Sequence, residues 1–99
     1  MASIKLLLNK QRMLNDGRFP LVFQIIHRRR KVLHYTKYRV FQQEFNNESK
    51  EVEYCGYSVY SIKEIREINR ELKSEYKKLK NRIVELEKRG ELYSVDDII

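Results

Sequence analysis

The spacing of apolar residues divides this chain into two halves with different periods. In residues 3–9, Ile4, Leu6 and Leu8 alternate with Lys5, Leu7 and Asn9, the period-two pattern of a strand. Asn15-Asp16-Gly17 then supplies turn chemistry, because Gly17 tolerates positive φ and Asn and Asp bond their own backbone. Pro20 opens a second strand, a place where its missing N–H is tolerated. Residues 21–27 set Leu21, Phe23, Ile25 and His27 on one face and Val22, Gln24 and Ile26, continued by Arg28, on the other. With Arg29-Arg30 as the turn, residues 31–40 form a third strand. Val32, His34, Thr36 and Tyr38 take one side of it, Leu33, Tyr35, Lys37 and Arg39 the other. The expectation is a three-stranded antiparallel meander.

Residues 41–60 carry no clean period, and Asn46-Asn47 and Gly56 read as turns in a loop with room for a short extra strand. From Ser61 the period becomes helical. Ser61-Ile62-Lys63-Glu64 is a capping box. Ile62, Ile65, Leu72, Tyr76, Leu79, Ile83 and Leu86 follow at steps of three and four, with Asn69 in the one gap. Lys88-Arg89 suit the negative end of the helix dipole and Gly90 suits a left-handed cap. The spacing predicts a helix over 62–89, about 42 Å long at roughly 1.5 Å per residue and longer than a three-stranded sheet covers. Ser94-Val95-Asp96-Asp97 reads as a second helix start. The expected fold is α+β, a three-stranded antiparallel sheet packed on a long C-terminal helix. Residues 1–60 hold the sheet and its following loop, 61–90 the helix, and 91–99 a linker to a core-binding or catalytic region beyond this chain.

Charge sharpens this picture through its placement. The chain carries +7 overall, yet residues 1–43 hold ten Lys and Arg against the single acid Asp16, a net +9, while residues 44–60 are net −3 and residues 61–99 net +1. At the centre stands His27-Arg28-Arg29-Arg30-Lys31, four consecutive cations between two strands. A field confined to one half points to a polyanion as partner. If Leu21, Phe23 and Ile25 pack inward with Ile4, Leu6 and Leu8, the free face presents Lys5, Gln24, Arg28, Tyr35, Lys37 and Arg39, with Leu7, Val22, Ile26 and Leu33 sharing its parity. Lys10 and Arg12 stand beside it. These residue types reach phosphates or base edges, and a small sheet fits a major groove about 12 Å wide. Arg28, Arg29, Arg30 and Lys31 are then the backbone grip, and Gln24, Tyr35, Lys37 and Arg39 the residues that approach bases. A solvated hairpin tip is the plain alternative, and electrostatics alone do not separate DNA from RNA.

Other chemistry finds little footing. A 99-residue chain makes one small domain. One cysteine, Cys55, allows no internal disulfide and argues against a Cys-based metal site; it fits a reducing, cytoplasmic setting. No apolar run reaches 18 residues, so no membrane span is expected, and the apolar part of the N-terminus is too short for a secretory signal. The hairpin leaves room for His27 and His34 to sit near each other, but without further ligands of suitable spacing no metal or other cofactor is assigned. No triad, glycine-rich phosphate loop or paired-carboxylate cleft accompanies the seven tyrosines, and no catalytic residue is assigned. The helix also reads as heptads. Ile62, Asn69, Tyr76 and Ile83 fall at a and Ile65, Leu72, Leu79 and Leu86 at d, a seam that would support self-association through residues 62–89.

The order of these features resembles the N-terminal arm-type DNA-binding domain of tyrosine recombinases, the integrases of phages and conjugative transposons. The matching pieces are the basic strand IKLLLNK (4–10), NDGRFPLVFQI (15–25), the basic turn with YTKYRV (35–40), EFN (44–46), a long helix ending in glycine, and SVDDI (94–98). Lys37 stands where such sequences usually have Gly, Phe45 where they have Trp, and Gln42 where Pro is common. The resemblance implies a three-stranded sheet on a C-terminal helix. It also implies binding of arm-type sites in double-stranded DNA during integration and recombination, with catalysis in a later domain and the chain inert by itself. A coiled-coil adaptor and an RNA or single-strand binder using Tyr35 and Tyr38 for stacking remain the rival readings.

Overall fold

In the computed structural model, which describes residues 2–90 and 92–98, the first half is an antiparallel sheet of β1 (Ser3–Leu8), β2 (Phe19–His27) and β3 (Arg30–Val40), with β2 central. Directly opposed residues share a face, so the register sorts the side chains. Ile4, Ile25 and Val32 form one inner row, Leu6, Phe23 and His34 a second, and Leu8 and Leu21 a third. The outer rows are Ser3, Ile26 and Lys31; Lys5, Gln24 and Leu33; and Leu7, Val22 and Tyr35. The parity read from the sequence holds from the hairpin as far as the Val22–Tyr35 pair.

Two local features depart from that reading. The β2–β3 hairpin turns on Arg28-Arg29 rather than Arg29-Arg30, with His27 opposite Arg30. Arg28 and Arg29 have φ of 53° and 67°, the mirror-image turn whose twist matches the flanking strands. Non-glycine residues held there cost of order 1 kcal/mol each. Further along, the register steps by two on β2, from Val22 to Pro20, while β3 steps by four, from Tyr35 to Arg39. Thr36 stabilises this bulge by donating its hydroxyl to the Leu21 carbonyl at 2.7 Å and accepting from the Tyr38 amide at 3.2 Å. Lys37 sits inside the bulge with no positive φ, so lysine meets no backbone penalty at the position where the resembling sequences have glycine.

The segment after the sheet is more ordered than its lack of period suggested. A short 3-10 turn at Gln42–Glu44 leads into a small hairpin of β4 (Phe45–Asn46) and β5 (Glu51–Val52). Asn46 Oδ1 accepts from the amides of Glu48 and Ser49, which shapes the connection between them. Phe45 packs partly buried against the core.

Helix α1 runs Ile62–Lys88 and begins with the expected capping box: Ser61 Oγ accepts from the Glu64 amide at 3.1 Å, and Glu64 returns the bond to the Ser61 amide at 3.0 Å. Gly90 follows its end with φ 69°. The buried stripe is Ile65, Ile68, Leu72, Leu79, Ile83 and Leu86. Ile68 therefore takes the place expected of Asn69, and Ile62 is 53% exposed. Asn69 instead binds β5, accepting from the Val52 amide at 2.7 Å and donating to its carbonyl at 2.9 Å. The heptad seam is consequently filled within the chain, by the sheet and by the residues beyond the helix.

Residues 92–98 account for the helix length that a three-stranded sheet leaves over. The second helix start is a single 3-10 turn, Val95–Asp97, and Val95 and Ile98 are buried in the core cluster with Ile83 and Leu86. Arg82 donates to the Asp97 carbonyl at 3.1 Å, and the Tyr93 hydroxyl donates to Glu87 at 2.5 Å. The His27 ring stacks on Tyr93 with centroids 4.2 Å apart, and its Nε2 donates to the Tyr93 carbonyl at 3.1 Å. This stretch is packed beneath the hairpin tip.

Candidate nucleic-acid interface

The helix and residues 92–98 cover one face of the sheet, and among the described residues the acids that reach the sheet's cations come from that covered side or from the β1–β2 loop. Arg30 pairs with Asp96 at 3.1 Å, Lys37 with Glu71 at 3.7 Å, and Arg18 with Asp16 at 2.6 Å. His34 approaches Glu75 at 3.6 Å. Among the described residues, Lys5, Lys10, Arg12, Arg28, Arg29, Lys31 and Arg39 have no acid within ion-pair distance. The cations are thus sorted by face: neutralised toward the helix, unanswered toward the open side. Burial first, and the Lys5 charge second, hold the Lys50 ammonium below the usual lysine range.

The open face has a definite layout. Lys5 and Gln24 are neighbours in its middle row. Lys31 stands toward the hairpin tip with Arg28 and Arg29 beyond it, and Arg39 opposite Pro20 toward the other end. Lys10 follows β1 at that second end, beside a cleft it shares with Leu7, Gln42, Phe45 and Asn47. Ile26 and Leu33 supply apolar surface between the charges.

Lys37, assigned to this face by alternation, and Arg30, assigned to the backbone grip at the turn, are placed elsewhere. Lys37 is carried by the Thr36 bulge toward the helix. It reaches Glu71 and lines a cavity with His34, Tyr38, Glu75 and Lys78. Arg30 lies on the inner side of the turn, held by Asp96. The run of four cations is therefore not wholly unanswered, because the compensating acid arrives from the far end of the chain. Tyr38 likewise faces the helix, where its hydroxyl donates to Glu71. That bond first, and the Lys37 ammonium after it, hold the Glu71 carboxyl below its usual range despite an opposing desolvation effect.

A third group was not legible as a unit. Val22 is 0% exposed although it lies on the open face and outside the core cluster. Its cover is Tyr35, which extends across β2 so that its hydroxyl accepts from Asn9 Nδ2, at the end of β1, at 2.7 Å. The Arg12 guanidinium carbon lies 5.8 Å from the centroid of that tyrosine ring. Asn9 carried no local signal beyond its position at a strand end.

His27 and His34 do not meet as ligands, since His27 is buried against Tyr93 and His34 is engaged with Phe23 and Glu75. No cluster of three or more His, Cys, Asp or Glu able to hold a metal ion occurs among the described residues, and no helix there is long and apolar enough to cross a membrane.

No curated protein and no solved structure matches the chain. A family model does, over residues 6–99, from the second residue of the inner β1 row to the segment beneath the hairpin tip. With a match of that extent over a sheet whose open face carries the unpaired cations, the chain belongs to the Arm DNA-binding domain family.

Proposed function

We propose that this chain binds arm-type sites in double-stranded DNA as the N-terminal module of a tyrosine recombinase, with the open face of the sheet in the major groove. The observation that carries the reading is the sorting of charge: helix-side cations are paired, and those around the open face are free for phosphate. Three strands about 4.8 Å apart make a body comparable with a groove about 12 Å wide. From the Ile26 row to the Pro20 row the face runs about 20 Å at roughly 3.3 Å per residue. That is about six phosphate steps at 3.4 Å per strand. In this reading Arg28, Arg29, Lys31, Lys10 and Arg39 contact phosphates, and Lys5 and Gln24 approach base edges. Recombination chemistry belongs to another domain of the parent protein, and no residue of this chain takes part in bond breakage.

The aromatic residues favour duplex over single strand. Tyr38 faces the helix and its hydroxyl is held by Glu71, and the Tyr35 hydroxyl is held by Asn9, so neither ring is free to reorient onto a base.

Duplex affinity measured against salt tests the proposal. Five neutralised phosphates give a slope of log K on log salt near about −4.5, with duplex outcompeting either of its separated strands. Salt-insensitive binding, or preference for the single strand, would overturn it.

A further inference from the structure

We infer that Arg12 is a guanine-reading residue and that Asn9 and Tyr35 are the positioning residues that aim it, an assignment that rests on the duplex-binding reading above. The three residues come from the β1–β2 loop, the end of β1 and the middle of β3, and they meet over the central strand. Tyr35 is fixed at both ends. Its backbone is opposite Val22 in the ladder, and its hydroxyl is held by Asn9, an 8% exposed side chain. Asn9 is fixed in turn, since Oδ1 accepts from the Gln11 amide at 3.3 Å and its carbonyl from the Arg12 amide at 3.2 Å. The loop that carries Arg12 is thereby tied to the strand that carries its aromatic base.

This arrangement suits base reading better than a phosphate grip. A phosphate contact needs a positive charge of loose geometry, which the exposed Arg28 and Arg29 already provide. A bidentate contact to guanine O6 and N7 needs a planar donor fork held in a fixed plane. The Arg12 guanidinium lies within cation–π reach of the Tyr35 ring, 5.8 Å from its centroid, and no acid among the described residues competes for its donors. Because Tyr35 reaches across β2 from the Val22 row toward Asn9, the guanidinium beside its ring lies at the loop end of the open face, away from the hairpin tip where Arg28 and Arg29 stand. The Tyr35 hydroxyl accepts from Asn9, so its own proton remains available to a neighbouring phosphate or base acceptor.

The test uses the wild-type chain to select a duplex from a randomised library. Affinities for that duplex and a scrambled one are then compared across salt for Arg12→Lys, Asn9→Ala and Tyr35→Phe. Arg12→Lys keeps the charge but not the fork. It is expected to leave scrambled-duplex affinity and salt slope unchanged while lowering the selected-to-scrambled ratio by about 5- to 150-fold, the range of one bidentate base contact. Asn9→Ala and Tyr35→Phe should lower the ratio in the same direction by less. Replacing guanines of the selected duplex one at a time with 7-deazaguanine should weaken wild-type binding at one position to which Arg12→Lys is indifferent. A purely structural role for Asn9 would not produce that position-specific signature. Equal loss on both duplexes would make Arg12 a phosphate contact and overturn the assignment while leaving duplex binding intact. Failure of the wild-type chain to select any duplex would instead overturn the duplex-binding reading itself, and this assignment with it.

Discussion

Asp96 Oδ2 lies 3.1 Å from Arg30 Nη1, so a carboxylate from the last residues of the chain occupies one of the four cations at the hairpin. The pair is exposed, with side-chain accessibilities of 61% and 65%, and exposed pairs contribute only about 0–1 kcal/mol to stability. Its larger effect is on the field at the tip. Asp96→Asn should leave the melting transition nearly unchanged. It should raise duplex affinity about 2- to 5-fold at low salt and steepen the salt slope by about one phosphate contact's worth, roughly 0.9. Fluorescence anisotropy over a salt series reads both quantities, and an unchanged slope would mean that Arg30 does not reach the DNA even when released.

The turn itself sets stability against binding. Arg28 and Arg29 both have positive φ, where Asn-Gly is the preferred pair. Replacing them together, Arg28→Asn with Arg29→Gly, should stabilise the chain by about 1–2 kcal/mol through relief of backbone strain. The same variant should flatten the salt slope by about 1.8, two phosphate contacts' worth. Denaturant unfolding and anisotropy measure the two effects separately, and the opposite signs are the prediction.

Tyr38 and Glu71 give a titration signature on the helix side. The Glu71 carboxyl is depressed in the folded chain, first by the Tyr38 hydroxyl and then by Lys37. Its contribution to stability is therefore present above the ordinary glutamate range and is lost as pH falls through the lowered folded value. Tyr38→Phe should move the Glu71 titration upward toward the ordinary range. Carboxyl-carbon chemical shifts followed against pH report this directly; an unmoved midpoint would assign the depression to Lys37 instead.

Asn69 separates packing within one chain from a coiled-coil reading. Its amide satisfies both the amide and the carbonyl of Val52, a residue 2% exposed. Asn69→Leu leaves those two groups unpaired and should cost about 1–3 kcal/mol. In a helical dimer with Asn69 at an a position, the same change would strengthen association. Sedimentation is expected to return a concentration-independent monomer for both proteins, with the variant less stable to denaturant.

Phe23 is wholly buried in the sheet's inner face, with His34 and Tyr76 at 6.5 and 6.4 Å between ring centroids. Phe23→Ala should cost about 3–5 kcal/mol, a large share of the roughly 5–15 kcal/mol that stabilises an ordinary domain. Circular dichroism melting is the measurement, and a loss under 1 kcal/mol would contradict the packing described.

What the sequence by itself determined follows from local periodicity. Alternation placed Lys5, Gln24, Tyr35 and Arg39 on one face, because successive strand side chains point to opposite sides regardless of context. Ser61, Glu64 and Gly90 marked the helix ends through bonds and dihedrals confined to a few residues. The tertiary structure decided the rest. Lys37 left the open face because the Thr36 bulge interrupts the alternation and Glu71 draws the ammonium toward the helix. Ile68 replaced Asn69 in the stripe because Val52, far away in the chain, offers Asn69 two backbone partners. Arg30 gained its acid from Asp96, and Arg12 its platform from a tyrosine held across the central strand by Asn9. Each of these depends on which distant residues the fold brings together, and no local pattern encodes that.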